Sequence, residues 1–492
     1  MRFIFNIIYF LGAFLAGAIL PLAFAPKGIY ILAVLSPLLL FYVLENTSPK
    51  TAFWRGLIYG LGFFGFGAYW IFISINTYGS TNLFISSFIT FGFICILSLF
   101  PGFMGYVYRK FNAGTPQASL FQFIFLWVIF EWIRSWFLTG FPWLLLGQSQ
   151  TNSPLHGYAP IIGLYGISFL TVFSASLIYT ILKNYRKLFA VTLNGFLLLV
   201  IWLGGYGLTF IQWTHPISKP FSITLIQGNI PEMMKWDPQQ AYKSLKTYET
   251  LTKPFLGKST LIVWPETAVT FLLPDAIPHL ELLDKVAEKT KSAILTGIPI
   301  PNNNQYYNGA IMLGDGEGHY YKRHLVPFGE YIPLESLLRG LIGFFNLPMS
   351  DFSEGPQAQN LMSTDGMYIG PFICYEIAYT HLLRTDLPLA NVLVTMSNDS
   401  WFDQSEALAQ HLQITQLAAE MSQRYMLVAT NSGKTAVIDP NGNILVTAPE
   451  NQVAYITATI QAMGGTTPWI TYGNWPILIL MGLGLACCWK RR

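Results

Sequence analysis

Along residues 1–213 long apolar runs follow one another with only short polar breaks, at 3–24, 29–44, 56–75, 83–108, 120–138, 159–182 and 188–211, and one more stands at 474–489. A helix needs about 20 apolar residues to cross a bilayer, so the pattern predicts seven spans, a polar segment and one closing span. The run at 29–44 is short and holds Pro37, so its existence is better defined than its ends. Between residues 214 and 468 the period changes. Nearly all-apolar stretches at 221–227, 260–264, 292–297, 367–374, 392–396, 425–430, 435–438 and 453–460 predict strands, several of them covered on both faces. Helical patterning at 239–252, 279–291 and 405–422 predicts helices packed between and over them, while 302–305 and 314–318 read as loop tips. The expected organisation is a membrane domain of seven transmembrane helices over 1–213, an α/β sandwich domain over 214–468, and a C-terminal transmembrane helix over 469–492, about eight spans in all.

Composition sharpens the class: 52% of residues are hydrophobic and 11% charged, against about 25% charged in an ordinary soluble domain. The chain reads as an integral membrane protein. Arg2, an apolar run and Ala23-Phe24-Ala25 imitate a cleavable leader, yet the run is longer than a leader's apolar core and more spans follow, so an uncleaved anchor is expected. Basic residues fall on one set of alternate loops (Arg2, Lys50, Arg55, Arg109, Lys110, Lys183, Arg186, Lys187, Lys490, Arg491, Arg492), whereas the opposite set carries Lys27. Short cytoplasmic loops retain Lys and Arg, so both termini are expected in the cytoplasm and the 214–468 segment outside it, in the periplasm of a bacterial cell. The aromatic outer-loop stretches at Tyr69-Trp70 and Phe141-Pro-Trp143 suit a lipid interface. Glu131 and Arg134, three apart on one helix face, read either as a headgroup contact or as a structural ion pair facing other helices.

Four cysteines are present, and Cys374 is the single one in the outer segment. Cys95, Cys487 and Cys488 fall in apolar spans, where a thiol is a small packing residue. An unpaired thiol in an oxidising compartment is a liability that needs a reason. Three strand-end stretches carry ionisable groups: Trp264-Pro-Glu266-Thr, Lys322-Arg-His-Leu-Val-Pro-Phe-Gly-Glu330, and Cys374-Tyr-Glu376. Singly, Glu266 could neighbour a helix cap, Lys322 could be a solvated charge and Cys374 a core residue. Together they supply a nucleophile, a base and a cation. A thiol of pKa about 8.5 needs activation at neutral pH; Glu266 can take its proton and return it to a leaving group, and Lys322 can stabilise the thiolate and an oxyanion.

These residues, in this order and context, resemble the nitrilase superfamily of carbon–nitrogen hydrolases, and the chain is similar over essentially its whole length to the membrane-bound branch, the apolipoprotein N-acyltransferases. The resemblance lies in Gln227-Gly-Asn-Ile-Pro231 with Lys235-Trp236-Asp237, Trp264-Pro-Glu-Thr267, Tyr307-Asn-Gly309, Lys322 through Pro333, Cys374-Tyr-Glu376, Ser397-Asn-Asp399 with Trp401-Phe402, and Gln410-His-Leu412. In the membrane half it lies in Leu22-Ala-Phe-Ala-Pro26, Gly67-Ala-Tyr-Trp70, Glu131-Trp-Ile-Arg134 and Gly140-Phe-Pro-Trp143. It implies an α-β-β-α sandwich and a two-stage acyl transfer. Cys374 takes an acyl chain from a phospholipid, with phosphatidylethanolamine the expected donor, and passes it from the thioester to the α-amino group of a diacylglyceryl-cysteine at an apolipoprotein's N-terminus. Glu266 is then the general base and Lys322 the oxyanion partner, with Glu330, Tyr375, Glu376 and Trp236 supporting the site or binding substrate. No cofactor is implied, because the acyl group arrives activated as an ester. Two departures stand out: Asp403 follows Phe402 where the family usually has glycine, and no proline stands near Leu408.

Two other classes compete. A membrane-tethered amidase would use the same three residues and differ in letting water reach the thioester. A transporter with a receptor-like outer domain would place ionisable groups deep in its spans, where this chain has almost none. The sequence has no Gly-x-Ser-x-Gly elbow and no phosphate-binding glycine loop. Seven scattered histidines give no metal-site spacing, and a net charge of +3 gives no nucleic-acid-binding patch.

Overall fold

The computed structural model describes residues 2–79, 81–111, 114–331 and 352–489. The chain divides into two compact units, one of Met1–Asn76, Asn82–Gln212 and Thr471–Arg492, the other of Thr77–Thr81 and Trp213–Ile470. Lys490, Arg491 and Arg492, with Ile332 and Pro333 at the end of the Lys322 motif, lie outside the described residues.

The first unit is helical. Among the described residues five helical stretches are long and apolar enough to cross a membrane: Asn6–Ala23, Leu83–Lys110, Pro116–Arg134, Pro154–Lys183 and Leu188–Leu208. Pro49–Gly67 and Ile71–Tyr78 add a sixth if the pair, bent by 58°, counts as one span, and Leu32–Leu44 and Trp475–Trp489 are shorter apolar helices. The expected continuous run at 56–75 is therefore corrected. It begins earlier, capped by Ser48, whose hydroxyl accepts from Thr51 N at 3.2 Å, and it breaks after Gly67, whose carbonyl takes the Trp70 indole N–H at 3.1 Å. Small residues let these helices touch backbone to backbone. A methyl group on Gly62 would lie 2.3 Å from the Phe14 carbonyl oxygen, and one on Gly56 would lie 2.2 Å from that of Pro101.

One expectation for this unit changes, and of the two readings of Glu131 and Arg134 the structural one agrees with their burial. Trp70 and Trp143 are buried, with ring centroids 5.4 Å apart, rather than displayed as interfacial side chains; Tyr69 stays exposed. Arg134 and Glu131 are buried and hold the chain that follows their helix. The guanidinium donates to the carbonyls of Phe141, Trp143 and Leu144 at 2.9, 2.7 and 3.0 Å, and Glu131 accepts from Leu146 N at 2.7 Å. Both charges thus satisfy backbone groups that a non-helical stretch leaves open at this place.

The second unit contains two large sheets. One runs, in spatial order, Ala454–Ile460, Phe221–Gln227, Leu261–Val263, Ala293–Asn302, Gln305–Gly314, His319–Tyr321. The other runs Ile444–Thr447, Ala436–Ile438, Met426–Thr430, Val392–Ser397, Met367–Ile373, Met362–Thr364, Gly316–Glu317. Successive side chains of a strand point to opposite faces, and here each face is buried. Ile223, Leu225, Val263 and Leu295 pack against Ile369, Ile373, Val394 and Leu427 of the facing sheet. Ile226, Ile262 and Ile294 turn the other way, onto Leu245 of helix Pro238–Thr252 and Leu280 and Leu283 of helix Leu273–Lys289. Helices Thr380–Asp386 and Ala407–Ser422 belong to the second sheet's connections. The double cover explains the all-apolar strands. Between the loop tips expected at 302–305 and 314–318, where the pattern assigns no element, Gln305–Gly314 forms a ten-residue strand paired antiparallel with Ala293–Asn302. Asn303 and Asn304, both at positive φ (47° and 61°), make the two-residue turn between them.

Candidate active site

Each predicted residue follows a strand: Glu266 after Leu261–Val263, Lys322 after His319–Tyr321, and Cys374 after Met367–Ile373. Both sheets therefore feed one place, where loops lift side chains out of the packed layers. Lys322 is 1% exposed. Its Nζ lies 2.9 and 2.8 Å from the two Glu330 oxygens and 3.5 Å from Glu266 Oε1. Burial alone would lower the Lys322 ammonium, but Glu330 and Glu266 outweigh it and hold it well above the usual lysine range. The cation is permanent.

Glu266 is fixed on every side. Asn308 Nδ2 donates to Glu266 Oε1 and to Glu330 Oε1, both at 2.7 Å. Asn398 N donates to Glu266 Oε2 at 2.9 Å, and the buried Lys235 Nζ holds the Glu266 carbonyl at 3.0 Å. Burial lowers the Lys235 ammonium, against the opposing pull of Glu232, Glu266 and Cys374. Asn308, Lys235 and Asn398 stand in quoted motifs to which the sequence assigns no role. Two carboxylates on one ammonium repel unless further donors serve them, and the Asn308 amide, with two N–H groups, serves both.

Cys374 has φ +56°, unusual for a residue with a side chain, and opens the tight turn Cys374–Ala378. Burial pushes the thiol well up, Glu266 pushes the same way, and Lys322 opposes them. The shift favours the neutral thiol, and the Glu266 carboxylate lies close enough to act on it.

Glu376 does not point at the thiol. It accepts from the backbone N–H of Ile373 (2.7 Å), Arg323 and His324 (3.1 Å) and from the Tyr320 hydroxyl (3.0 Å). Burial pushes its carboxyl up to about 7. Arg323 is tied in turn to Asp386 through two bonds of 2.9 and 2.8 Å. One buried carboxylate thereby clamps the Cys374 turn to the segment that follows Lys322. The Tyr375 ring stands edge-on to Tyr379, centroids 5.1 Å apart, and 6.3 Å from His324. The Trp236 indole N–H donates to Glu232 at 3.2 Å; Glu232 also accepts from Asn398 Nδ2, whose backbone holds Glu266. Trp236 thus reaches Glu266 through two intermediaries. Asp403 takes φ 46° and ψ −148°, a conformation that suits glycine. Among the described residues no His, Cys, Asp and Glu cluster could hold a metal ion.

Residues 222–468 match the carbon–nitrogen hydrolase family, and residues 16–177 match the apolipoprotein N-acyltransferase N-terminal domain. An apolipoprotein N-acyltransferase of Coxiella burnetii is 41% identical over 470 residues, 95% of this chain and 96% of that one. One of Azotobacter vinelandii is 40% identical over 487 residues, 98% of this chain and 94% of that one. A solved carbon–nitrogen hydrolase superfamily protein of Xanthomonas campestris is 19% identical, covers 53% of this chain and 97% of its own, and superposes with a TM-score of 0.39. With both family domains present and relatives matched over nearly the full length, the chain belongs to the apolipoprotein N-acyltransferase family of the carbon–nitrogen hydrolases.

Proposed function

We propose that this enzyme completes bacterial lipoproteins by N-acylation, moving a fatty acyl chain from a phospholipid to the α-amino group of an N-terminal S-diacylglyceryl-cysteine through a thioester on Cys374. The carrying observation is a partly buried thiol on the Cys374 turn beside the Glu266 carboxylate and the Lys322 ammonium, which are themselves buried and in contact. In the first stage Glu266 takes the thiol proton as Sγ attacks the ester carbonyl carbon. The carbonyl oxygen becomes an oxyanion that Lys322 stabilises, a type of contribution worth about 3 kcal/mol. The C–O bond then breaks, and Glu266 returns the proton to the departing lysophospholipid. In the second stage the unprotonated amine attacks the thioester carbonyl, Glu266 takes a proton from the nitrogen, the C–S bond breaks and the thiol is re-formed with that proton. Because the thiol begins protonated, proton removal and attack are coupled, which is why the base must be held in place.

Phosphatidylethanolamine is the proposed donor, and no cofactor enters either stage. Glu330 keeps Lys322 oriented, Glu376 fixes the Cys374 turn, Tyr375 lines the approach to the thiol and Trp236 supports the Glu266 side. The proposed setting is the inner membrane, crossed by eight spans, with residues 1–213 and 469–492 forming the membrane part, residues 214–468 in the periplasm and both termini cytoplasmic. The one-sided distribution of Lys50, Arg55, Arg109, Lys110, Lys183, Arg186 and Lys187 against Lys27 supports that orientation. The test is to supply the purified protein with phosphatidylethanolamine labelled in one acyl chain and a diacylated lipopeptide with a free amine. Label in an amide on the peptide is expected; label released only as free fatty acid would instead mark a tethered hydrolase.

A further inference from the structure

Ser397-Asn-Asp399 and Gln410-His-Leu412 contain two ionisable residues, Asp399 and His411, that the acyl-transfer steps leave unused. They meet behind the Cys374 turn. Asp399 and His411 are buried, 2% and 3% exposed. His411 Nδ1 lies 3.1 Å from Asp399 Oδ1, and His411 Nε2 lies 3.2 Å from the Cys374 carbonyl oxygen. Both neighbours are acceptors, while a neutral imidazole has one N–H, so the imidazolium alone donates in both directions. The Ser397 hydroxyl bonds Asp399 Oδ1 and faces the thiol, closing a ring that starts and ends on Cys374. The groups facing His411 are Asp399, from the turn Asp399–Phe402, the Glu266 carboxylate and the Cys374 turn. Burial opposes the imidazolium, but the two carboxylates and the Cys374 carbonyl prevail and hold His411 above its usual range.

We propose that Asp399 and His411 form a buried ion pair that braces the Cys374 turn, His411 being a positioning residue whose charge cancels the repulsion Asp399 would exert on the thiolate. The carbonyl bond pins a main chain held at φ +56°, and the cancelled charge lets the thiol ionise as Glu266 takes its proton. The inference rests on the proposed function only in taking Cys374 as the nucleophile.

The test follows Cys374 in the full-length protein by its rate of alkylation with iodoacetamide, read from the mass of the Cys374 peptide so that other thiols do not interfere. No lipid is needed, so a failed acyl transfer with a normal alkylation pattern overturns the functional reading and leaves this one standing. His411→Gln strips the cancelling charge and is expected to slow alkylation about tenfold, one pKa unit. Asp399→Asn added to it is expected to restore the wild-type rate. The ratio of wild type to His411→Gln should approach one as pH rises through the raised His411 pKa, because the wild type then loses the same charge. Should His411→Gln fail to fold, Asp399→Asn alone is expected to alkylate no more slowly than wild type, while the kcat for acyl transfer falls at constant KM. Wild-type alkylation in His411→Gln, a deeper loss in the double variant, or slowed alkylation in Asp399→Asn would each overturn the proposal.

Discussion

Replacing Asn308 by alanine removes the amide that joins Glu266 to Glu330. Two bonds of 2.7 Å to carboxylate oxygens are lost, each of a kind worth about 1.5–3 kcal/mol net. Lys322 still contacts both carboxylates, and water can enter the vacated space, so we expect a stability loss of about 2–3 kcal/mol rather than the full sum. The rate should suffer as much. Glu266 keeps one backbone donor to Oε2, from Asn398, but its Oε1 is left to the 3.5 Å Lys322 contact alone. The carboxylate is then free to swing towards the ammonium and away from the thiol. A misplacement near 1 Å costs about 10²-fold, which is about 2.7 kcal/mol in the barrier. Single-turnover acylation of Cys374, followed by intact-protein mass spectrometry at saturating phospholipid, measures this directly, with thermal unfolding in the same detergent as a control. A folded variant that acylates within about threefold of wild type would refute the positioning argument, since that is under half of the predicted barrier change. A loss confined to KM would refute it as well.

Other outcomes follow from the same geometry. Cys374→Ser should fold and form no acyl-enzyme, while Cys95→Ser, altering a thiol in an apolar helix, should retain nearly full activity; activity assays on both variants check this. Lys322→Ala should lower kcat by about 10²–10³-fold with a smaller effect on KM and should cost about 3–5 kcal/mol of stability by leaving two buried carboxylates unbalanced; a pure affinity loss would point to headgroup binding instead. Because burial and Glu266 both push the Cys374 thiol up, its alkylation should be slow near neutral pH and keep rising beyond about pH 8.5, the ordinary thiol pKa; a plateau below that pH would mean a preformed thiolate. Asp403→Gly should relieve a conformation costing about 1–3 kcal/mol and raise the unfolding temperature.

The strands were legible because both sheet faces are covered: Phe221–Gln227 falls at the expected residues, and its neighbours differ by a residue or two at their ends. Gln305–Gly314 was not, because it opens on Gln305-Tyr-Tyr-Asn308 and lacks the apolar run of a doubly covered strand. Helix Leu273–Lys289 begins six residues before the expected 279: Pro274 sits in its first turn, where no intrahelical N–H is needed, and the helix runs on through Pro278, whose missing N–H makes the sequence read as a break there. Hydropathy cannot register a bend, so the break after Gly67 was hidden inside one apolar run. At the site, Glu266, Lys322 and Cys374 stand out as reactive groups just after predicted strands, while Glu330 is marked only by the resemblance. Asn308 is neutral, Lys235 passes for a surface charge, and Asp399 and His411 are brought together by tertiary packing across twelve positions. Their sequence signal was proximity to motifs; their roles required the contacts. The direction of Glu376 was equally hidden, for only the fold reveals that it gathers backbone N–H groups and leaves the thiol to Glu266.

The most direct test of the account is intact-protein mass spectrometry of the purified enzyme after incubation with phosphatidylethanolamine, followed by a chase with diacylated lipopeptide. The account predicts one fatty-acyl mass added to Cys374 that persists in water and moves to the peptide amine when the peptide arrives. An adduct on another residue, no adduct at all, or one lost to water as fast as to the peptide would contradict it.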